Sequence, residues 1–336
     1  MKAVGYLKSL PITEPDSLCD IELPRPTASG HDLLVKVEAV SVNPVDTKIR
    51  LRAEAQDGQH KVLGWDASGV VEAIGDDVTG FTVGDKVWYA GAIDRQGSNM
   101  QSHLIDERIV SKMPTSLSFT EAAALPLTAI TAWEILFDRF EFSSTSTGHI
   151  LVIGAAGGVG SILIQLAKQL TGLTVIATAS RQSTADWVRS LGADHVVNHN
   201  QDIQAQLKQL GVDSVGYVAS LTHTDAHLPT IQEVIAPQGA LCLIDDPASL
   251  DILPFKIKSV RILWELMFTR SLFQTADMYK QGELLSQVAR MVDAGELRST
   301  LSESFGSINA TNLKRAHALL ESGKSVGKIV LSGFKG

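Results

Sequence analysis

The stretch from His149 to Ser180, HILVIGAAGGVGSILIQLAKQLTGLTVIATAS, constrains the fold of this 336-residue chain more than any other. Ile150 to Ile153 is a short β-branched run of the kind a buried parallel strand needs. A cluster of small residues, Gly154-Ala155-Ala156-Gly157-Gly158-Val159-Gly160, follows it directly. Val159, Leu163, Leu166, Ala167 and Leu170 are then spaced for one face of a helix, which Gly172 stops. Thr174 to Thr178 reads as the returning strand. Strand, glycine turn, helix and parallel strand within about thirty residues form a mononucleotide-binding unit. The start of its helix offers unpaired N–H groups and a partial positive charge to a pyrophosphate. In the G-x-G-x-x-G fingerprint Ala155 takes the first place, and Gly157 and Gly160 take the other two. Gly158 and Val159 complete the turn.

A chain of this length buries a large core and should divide into two domains. Hydrophobic residues at 44% and charged residues at 20% are ordinary for a globular protein. A formal charge of −8 argues against nucleic-acid or anionic-membrane binding, which call for concentrated Lys and Arg. No apolar run approaches the eighteen or so residues of a spanning helix. The start, MKAVGYLKSL, is too short and polar for a secretory signal. Cys19 and Cys242 are too few for a disulfide framework, so a reducing, cytoplasmic setting is the expectation.

Short strands punctuated by glycine and proline fill residues 1 to about 120. Leu33 to Val42 alternates apolar and polar residues, and Gly69 to Gly75 does so again before the turn-rich run Asp76 to Val87. Phe119 to Phe137 is helical in pattern, with Thr120 as its start and Pro126 as a break. Asp194 to Val197, Ser214 to Ala219 and Ala240 to Ile244 are further strands separated by helical segments, which implies α/β architecture with a doubly wound parallel sheet. Ser259 to Phe268 reads as an apolar edge strand that needs a partner. From Thr275 the pattern is helical again until a final strand, Lys328 to Ser332.

These pieces together resemble the medium-chain dehydrogenase/reductase superfamily over essentially the whole chain. The resemblance is carried by G-W-D-A-S-G-V-V at Gly64 to Val71, V-G-D-K-V at Val83 to Val87, A-A-A-L-P-L-T-A at Ala122 to Ala129, and the AAGGVG turn. The chain is most similar to the zinc-independent quinone oxidoreductase-like branch, whose members often carry a zinc-type alcohol dehydrogenase label. The resemblance implies a GroES-like, β-rich catalytic domain, 1–125 and 269–336, with a Rossmann nucleotide domain, 126–268, inserted between its two parts. It also implies a homodimer, with Ser259 to Phe268 pairing across it.

In metal-dependent members of the superfamily a cysteine stands where this chain has Asn43, a histidine stands where it has Trp65, and a four-cysteine structural lobe is present. Here Asp46 and Asp66 are carboxylates without soft or imidazole partners, a poor zinc site. No metal is therefore expected. An acidic residue about twenty positions past the turn would favour NAD, but Ser180 and Arg181 stand there. A hydroxyl and a guanidinium suit a 2′-phosphate, so the expected cofactor is NADP(H). His199 either covers the phosphate or adenine or is merely exposed. The resemblance adds Ser220, Leu221, Thr222, Ile244, Asp245 and Thr128 to the cofactor's surroundings.

Without a metal, hydride transfer from NADPH to a quinone or to the β-carbon of an α,β-unsaturated carbonyl is the better-suited reaction, because the charge delocalises and water can supply the proton. A dinucleotide-binding sensor with little turnover and a zinc-dependent alcohol dehydrogenase are the alternatives. In the superfamily's pattern Asn43 to Asp46 borders the active-site cleft. Asn43 is a candidate to offer its amide to the acceptor oxygen or to hold the nicotinamide; equally, it makes a turn before proline. Asp46 fixes the loop, caps the following helix or takes part in catalysis. Trp65 either walls the substrate or belongs to the core. The Tyr89 phenol either donates to an oxyanion or lies in a barrel strand, and His103 is a weaker candidate. His223, Asp225 and His227 suggest a metal less than they suggest a polar helix start.

Overall fold

The computed structural model describes residues 1–334, so the last two residues of the segment 269–336 lie outside the described ones. The chain forms two compact units, one of residues 1–130 and 268–336 and the other of residues 131–267.

In the second unit six parallel strands are ordered His195–Val197, Gly172–Thr178, Thr147–Ile153, Val215–Ser220, Ile235–Leu243 and Arg261–Trp264. Parallel neighbours need crossovers, and the helices Gly158–Leu170, Gln182–Ser190, Ile203–Gln209 and Thr224–Val234 supply them. Such strands are covered on both faces and so carry continuous apolar runs: Leu151, Ile153, Ile176, Val218, Leu241 and Leu243 share one core cluster with Ile231 and Phe255. The helix Gly158–Leu170 turns Ile162, Leu163, Ile164, Leu166 and Ala167 fully inward, where each of the larger side chains contributes about 1.5–3 kcal/mol of burial. The strand order reverses between Thr147–Ile153 and Val215–Ser220, and the chain's turns gather at the strands' carboxyl ends beside that switch.

In the first unit a seven-stranded sheet runs Leu301–Ser304, Lys328–Ser332, Asp32–Ser41, Asp66–Ile74, Lys86–Ala90 and Val110–Lys112, with Ser102–Asp106 pairing Asp32–Ser41 off this path. Cys19–Glu22, Lys2–Tyr6 and Lys61–Val62 make a separate three-stranded sheet. Bulges interrupt the register between Asp32–Ser41 and Asp66–Ile74, which bends the sheet in the manner of a small barrel.

Four local expectations change. The helix Phe119–Ala122 starts from Ser118, not Thr120: Ser118 Oγ accepts from the Glu121 N–H at 3.3 Å and Glu121 Oε2 accepts from the Ser118 N–H at 2.9 Å, a reciprocal cap. After Pro126–Trp133 the backbone widens into a π-turn, Glu134–Arg139, closed by the Phe140 N–H on Ile135 O at 2.9 Å. The strand expected from Ala240 begins at Ile235. Leu301–Ser304, in a stretch of helical pattern, is a strand because it pairs in parallel with Lys328–Ser332. Arg261–Trp264 does lie at the outer edge of its sheet, with Trp264 exposed. Among the described residues no helix is long and apolar enough to cross a membrane.

Candidate functional site

In the nucleotide-type unit the turn after Thr147–Ile153 is shaped by what glycine alone tolerates. Gly154 has φ +78° and donates its N–H to Thr178 Oγ1 at 3.2 Å. A Cβ on Gly160 would stand 2.4 Å from the carbonyl oxygen of Ala155, so the helix can press against the turn only with glycine there. Ala155 itself is fully buried. Gly157 caps the helix in extended conformation, and the first-turn N–H groups of Gly158, Val159 and Gly160 have no partner within the helix, as at any α-helix start. The result is a row of backbone donors with the positive end of the helix dipole behind it, which fits a pyrophosphate.

The other residues expected around the cofactor in this unit follow the carboxyl ends of successive strands. Half-buried Ser180 and exposed Arg181 follow Gly172–Thr178, and Arg181 opens the helix Gln182–Ser190 with its backbone N–H on Thr184 Oγ1 at 3.3 Å. His199 follows His195–Val197 and meets the His227 ring edge-on at 6.0 Å. Burial, and then the neighbouring histidines, hold both rings below the usual histidine range. Leu221 and Thr222 follow Val215–Ser220; the Ser220 and Thr224 hydroxyls are 2.7 Å apart, and Thr222 Oγ1 lies 2.7 Å from His223 Nδ1. Ile244 and Asp245 follow Ile235–Leu243. Asp245 has a structural task of its own, since its Oδ2 accepts from the Thr224 N–H at 2.8 Å and caps Thr224–Val234. His223, with φ +50°, precedes that helix, and Asp225 and His227 lie in its first turns. Among the described residues no group of three or more His, Cys, Asp or Glu is arranged to hold a metal ion.

In the first unit, Asn43, Asp46 and Asp66 are brought together with a residue that sequence reasoning treated only as the start of a strand, Lys328. All four are buried. The Lys328 ammonium donates to Val42 O at 2.9 Å, to Asp66 Oδ2 at 2.9 Å and to Asn43 Oδ1. Asn43 Nδ2 donates to the same Asp66 oxygen at 2.8 Å, and the Leu127 N–H reaches Asp66 Oδ1 at 2.7 Å. Asp46 Oδ2 accepts from the Asn43 N–H at 2.6 Å and Oδ1 from the Gly64 N–H at 3.0 Å. Burial pushes the Asp46 carboxyl up to about 7, against the opposing pull of the Asn43 N–H and Lys328. Strand register brings the partners together: Ser41 pairs with Asp66 on one side and with Val330 on the other.

These contacts correct the expected role of Asn43. Its amide is enclosed and engaged at both ends, so it is a joint of this network rather than a donor offered to an acceptor oxygen. Asp46 closes the first turn of Pro44–Arg52, the capping role. Trp65 is fully buried, its Nε1–H on Ala92 O at 3.1 Å and its ring edge-on to Phe268 at 6.0 Å. Tyr89 is buried in the strand Lys86–Ala90. His103 Nε2 donates to Gln96 O at 2.9 Å, which leaves Nδ1 to accept the Tyr89 hydroxyl proton at 2.9 Å, and burial lowers the His103 ring to about 4, keeping it neutral. The phenol proton is therefore committed to His103 and not held out to an oxyanion. Thr128 is buried in Pro126–Trp133 with its hydroxyl on Leu125 O at 3.0 Å. No local pattern in the sequence marked this ion pair: Lys86 also opens an apolar strand and is exposed, whereas Lys328 is buried.

Residues 29–123 match the alcohol dehydrogenase GroES-like domain and residues 191–331 the zinc-binding dehydrogenase family. A zinc-type alcohol dehydrogenase-like protein of Staphylococcus aureus (strain MSSA476) is 42% identical over 337 residues, spanning 99% of this chain and 100% of the relative. The chain belongs to the medium-chain dehydrogenase/reductase superfamily. Its first unit holds the GroES-like domain and its second a Rossmann-type sheet, the fold of this oxidoreductase superfamily. A solved structure from Rhizobium etli CFN 42, described as a zinc-dependent alcohol dehydrogenase protein, is 55% identical with a TM-score of 0.96, covering 100% of this chain and 98% of that one. The quinone oxidoreductase from Coxiella burnetii is 28% identical with a TM-score of 0.81 and 99% coverage of both chains.

The zinc in those descriptions does not fit the residues present. Zinc favours thiolate and imidazole donors. The cluster around Asp66 has only oxygens for acceptors, and Lys328 together with backbone N–H groups already engages them. His103 has both ring nitrogens engaged elsewhere. Cys242 is buried in the other unit, its thiol pushed up to about 12 by burial and by Glu265, and Cys19 lies on the strand Cys19–Glu22.

Proposed function

We propose that this protein is an NADP(H)-dependent reductase that passes a hydride to a quinone or to the β-carbon of an α,β-unsaturated carbonyl, without zinc. The observation that carries this reading is a pair of sites: a glycine turn suited to a pyrophosphate, and a buried polar cluster filled by an ammonium instead of soft metal ligands. NADPH would supply the hydride when bound. The backbone N–H groups of Gly158, Val159 and Gly160 would hold its pyrophosphate, and the Ser180 hydroxyl and Arg181 guanidinium its 2′-phosphate. His199, Ser220, Leu221, Thr222, Ile244 and Asp245 follow strand ends of the same sheet, where ligands of this fold bind. A conjugated acceptor suits such a protein because its developing charge spreads over several atoms and water can deliver the proton. The likeness to a quinone oxidoreductase at 28% identity over the whole chain supports the same class.

The commitment of the Tyr89 proton to His103 favours a second reading, a dinucleotide-binding protein with little turnover, because it removes the phenol considered as a donor to an oxyanion. Oxidation of NADPH against a panel of quinones and enals separates the two. Turnover with at least one acceptor is expected, and none at saturating NADPH would leave the binding protein. We also propose a cytoplasmic homodimer, joined along the edge strand Arg261–Trp264, where Trp264 is exposed and Ile262 half-buried. Light scattering at two concentrations, with Trp264→Glu as the variant, checks it; a monomeric wild type would end that proposal.

A further inference from the structure

The names of the relatives and the side chains of this protein part company at the start of the strand Lys328–Ser332. Lys328 is 3% exposed, and an ammonium buried to that degree is tolerated only when paired and fully hydrogen-bonded. It is both. Its three N–H groups meet three acceptors: a carboxylate oxygen of Asp66, the side-chain carbonyl of Asn43 and the peptide carbonyl of Val42. Carboxylate, amide and peptide oxygens converging on one point are also the donor set that a hard divalent cation takes. Here that point holds the chain's own charge.

We propose that the Lys328 ammonium is the resident cation of this oxygen cluster, tying Asn43, Asp66 and the Val42 carbonyl together as a bound metal ion would and barring a metal from the same place. The tie extends one step further within the unit. Asp66, held by Lys328 through Oδ2, presents Oδ1 to the Leu127 N–H in the first turn of Pro126–Trp133, the helix that carries Thr128. Lys328 is thus a positioning residue for that helix start and for the Asn43 loop. The inference does not depend on which acceptor takes the hydride.

The test uses the full chain as wild type, Lys328→Ala and Lys328→Ala/Asp66→Asn. The wild type, grown with added zinc, is expected to carry no stoichiometric zinc and to unfold at the same temperature with chelator or with Mn2+. Lys328→Ala is expected to bind Mn2+ at least about tenfold more tightly than wild type, read by the Mn2+ EPR signal, and to unfold at a higher temperature when Mn2+ or methylammonium is added. The double variant should lose both responses. If Lys328→Ala does not fold unaided, refolding with methylammonium or Mn2+ should recover it. Stoichiometric zinc in the wild type, or a Lys328→Ala chain that neither ion binds, stabilises or refolds, would overturn the proposal.

Discussion

The turn Gly154–Gly160 and the cluster around Lys328 solve the problem of handling charge in opposite ways. The turn uses backbone: its donors are peptide N–H groups at a helix start, and its key residues matter for the side chains they lack. The cluster is built around side-chain charge, an ammonium and carboxylates enclosed where water cannot screen them, with backbone groups such as the Val42 carbonyl and the Leu127 N–H as further partners. A site built from backbone costs little to leave without its ligand, because peptide N–H groups carry no net charge that burial would strand. A site built from buried charge must stay complete, since either partner alone is a buried ion without compensation. Substitutions in the two regions should therefore fail differently.

The largest effect should come from Asp66→Ala, which strands the Lys328 ammonium and the Leu127 N–H: a loss of about 3–5 kcal/mol in urea unfolding, with both units' contributions followed. A loss below about 1 kcal/mol would break the contrast, because it would mean that water reaches the cluster. Gly160→Ala should destabilise by about 1–3 kcal/mol through the clash with the Ala155 carbonyl, and should weaken NADPH binding out of proportion to that loss. Unchanged NADPH affinity in a folded Gly160→Ala protein would remove the turn from the cofactor site.

Titration gives an effect confined to the buried cluster and spread across a range of pH. Burial raises the Asp46 carboxyl from 3.8 to about 7, so between those values the folded protein binds more protons than the unfolded chain. Its contribution to stability is complete below about 3.8, declines as pH rises and is lost above about 7, with a slope of at most about 1.4 kcal/mol per pH unit. Asp46→Asn should flatten the wild-type slope of the urea midpoint over this window; an identical slope would assign the dependence elsewhere. The smallest stability change, within about 0.5 kcal/mol, is expected for Arg181→Asp at its exposed position. Its effect should appear instead in cofactor choice, as a fall of about tenfold or more in the ratio of NADPH to NADH affinity measured by fluorescence titration, and an unaltered ratio would show that Arg181 does not read the phosphate.

Much of the nucleotide-type unit was legible because parallel strands and their crossover helix announce themselves locally. Ile150 to Ile153, the glycines and the apolar face from Val159 to Leu170 lie within one short stretch, and each element's period shows in its own residues. Strand ends were less exact. Ile235 belongs to a strand whose expected start was Ala240: it pairs with Val215, and the register then skips residues 236–239 before pairing resumes between Ala240 and Tyr217. The helix entry at Ser118 was hidden because a cap depends on a side chain reaching three residues along, and Thr120 presents the same chemistry.

What the sequence determined by itself was whatever depends on near neighbours: the doubly wound unit, the glycine turn and the residues that follow each strand. Asn43, Asp66 and Lys328 belong to the other kind. Lys328 lies far from both in sequence, and nothing local tells a surface lysine from a buried one. Only the pairing of Lys328–Ser332 with Asp32–Ser41, and of that strand with Asp66–Ile74, brings the ammonium to its acceptors. The tertiary structure decided it because a charge's role depends on what surrounds it, and here the surroundings come from three separate parts of the chain.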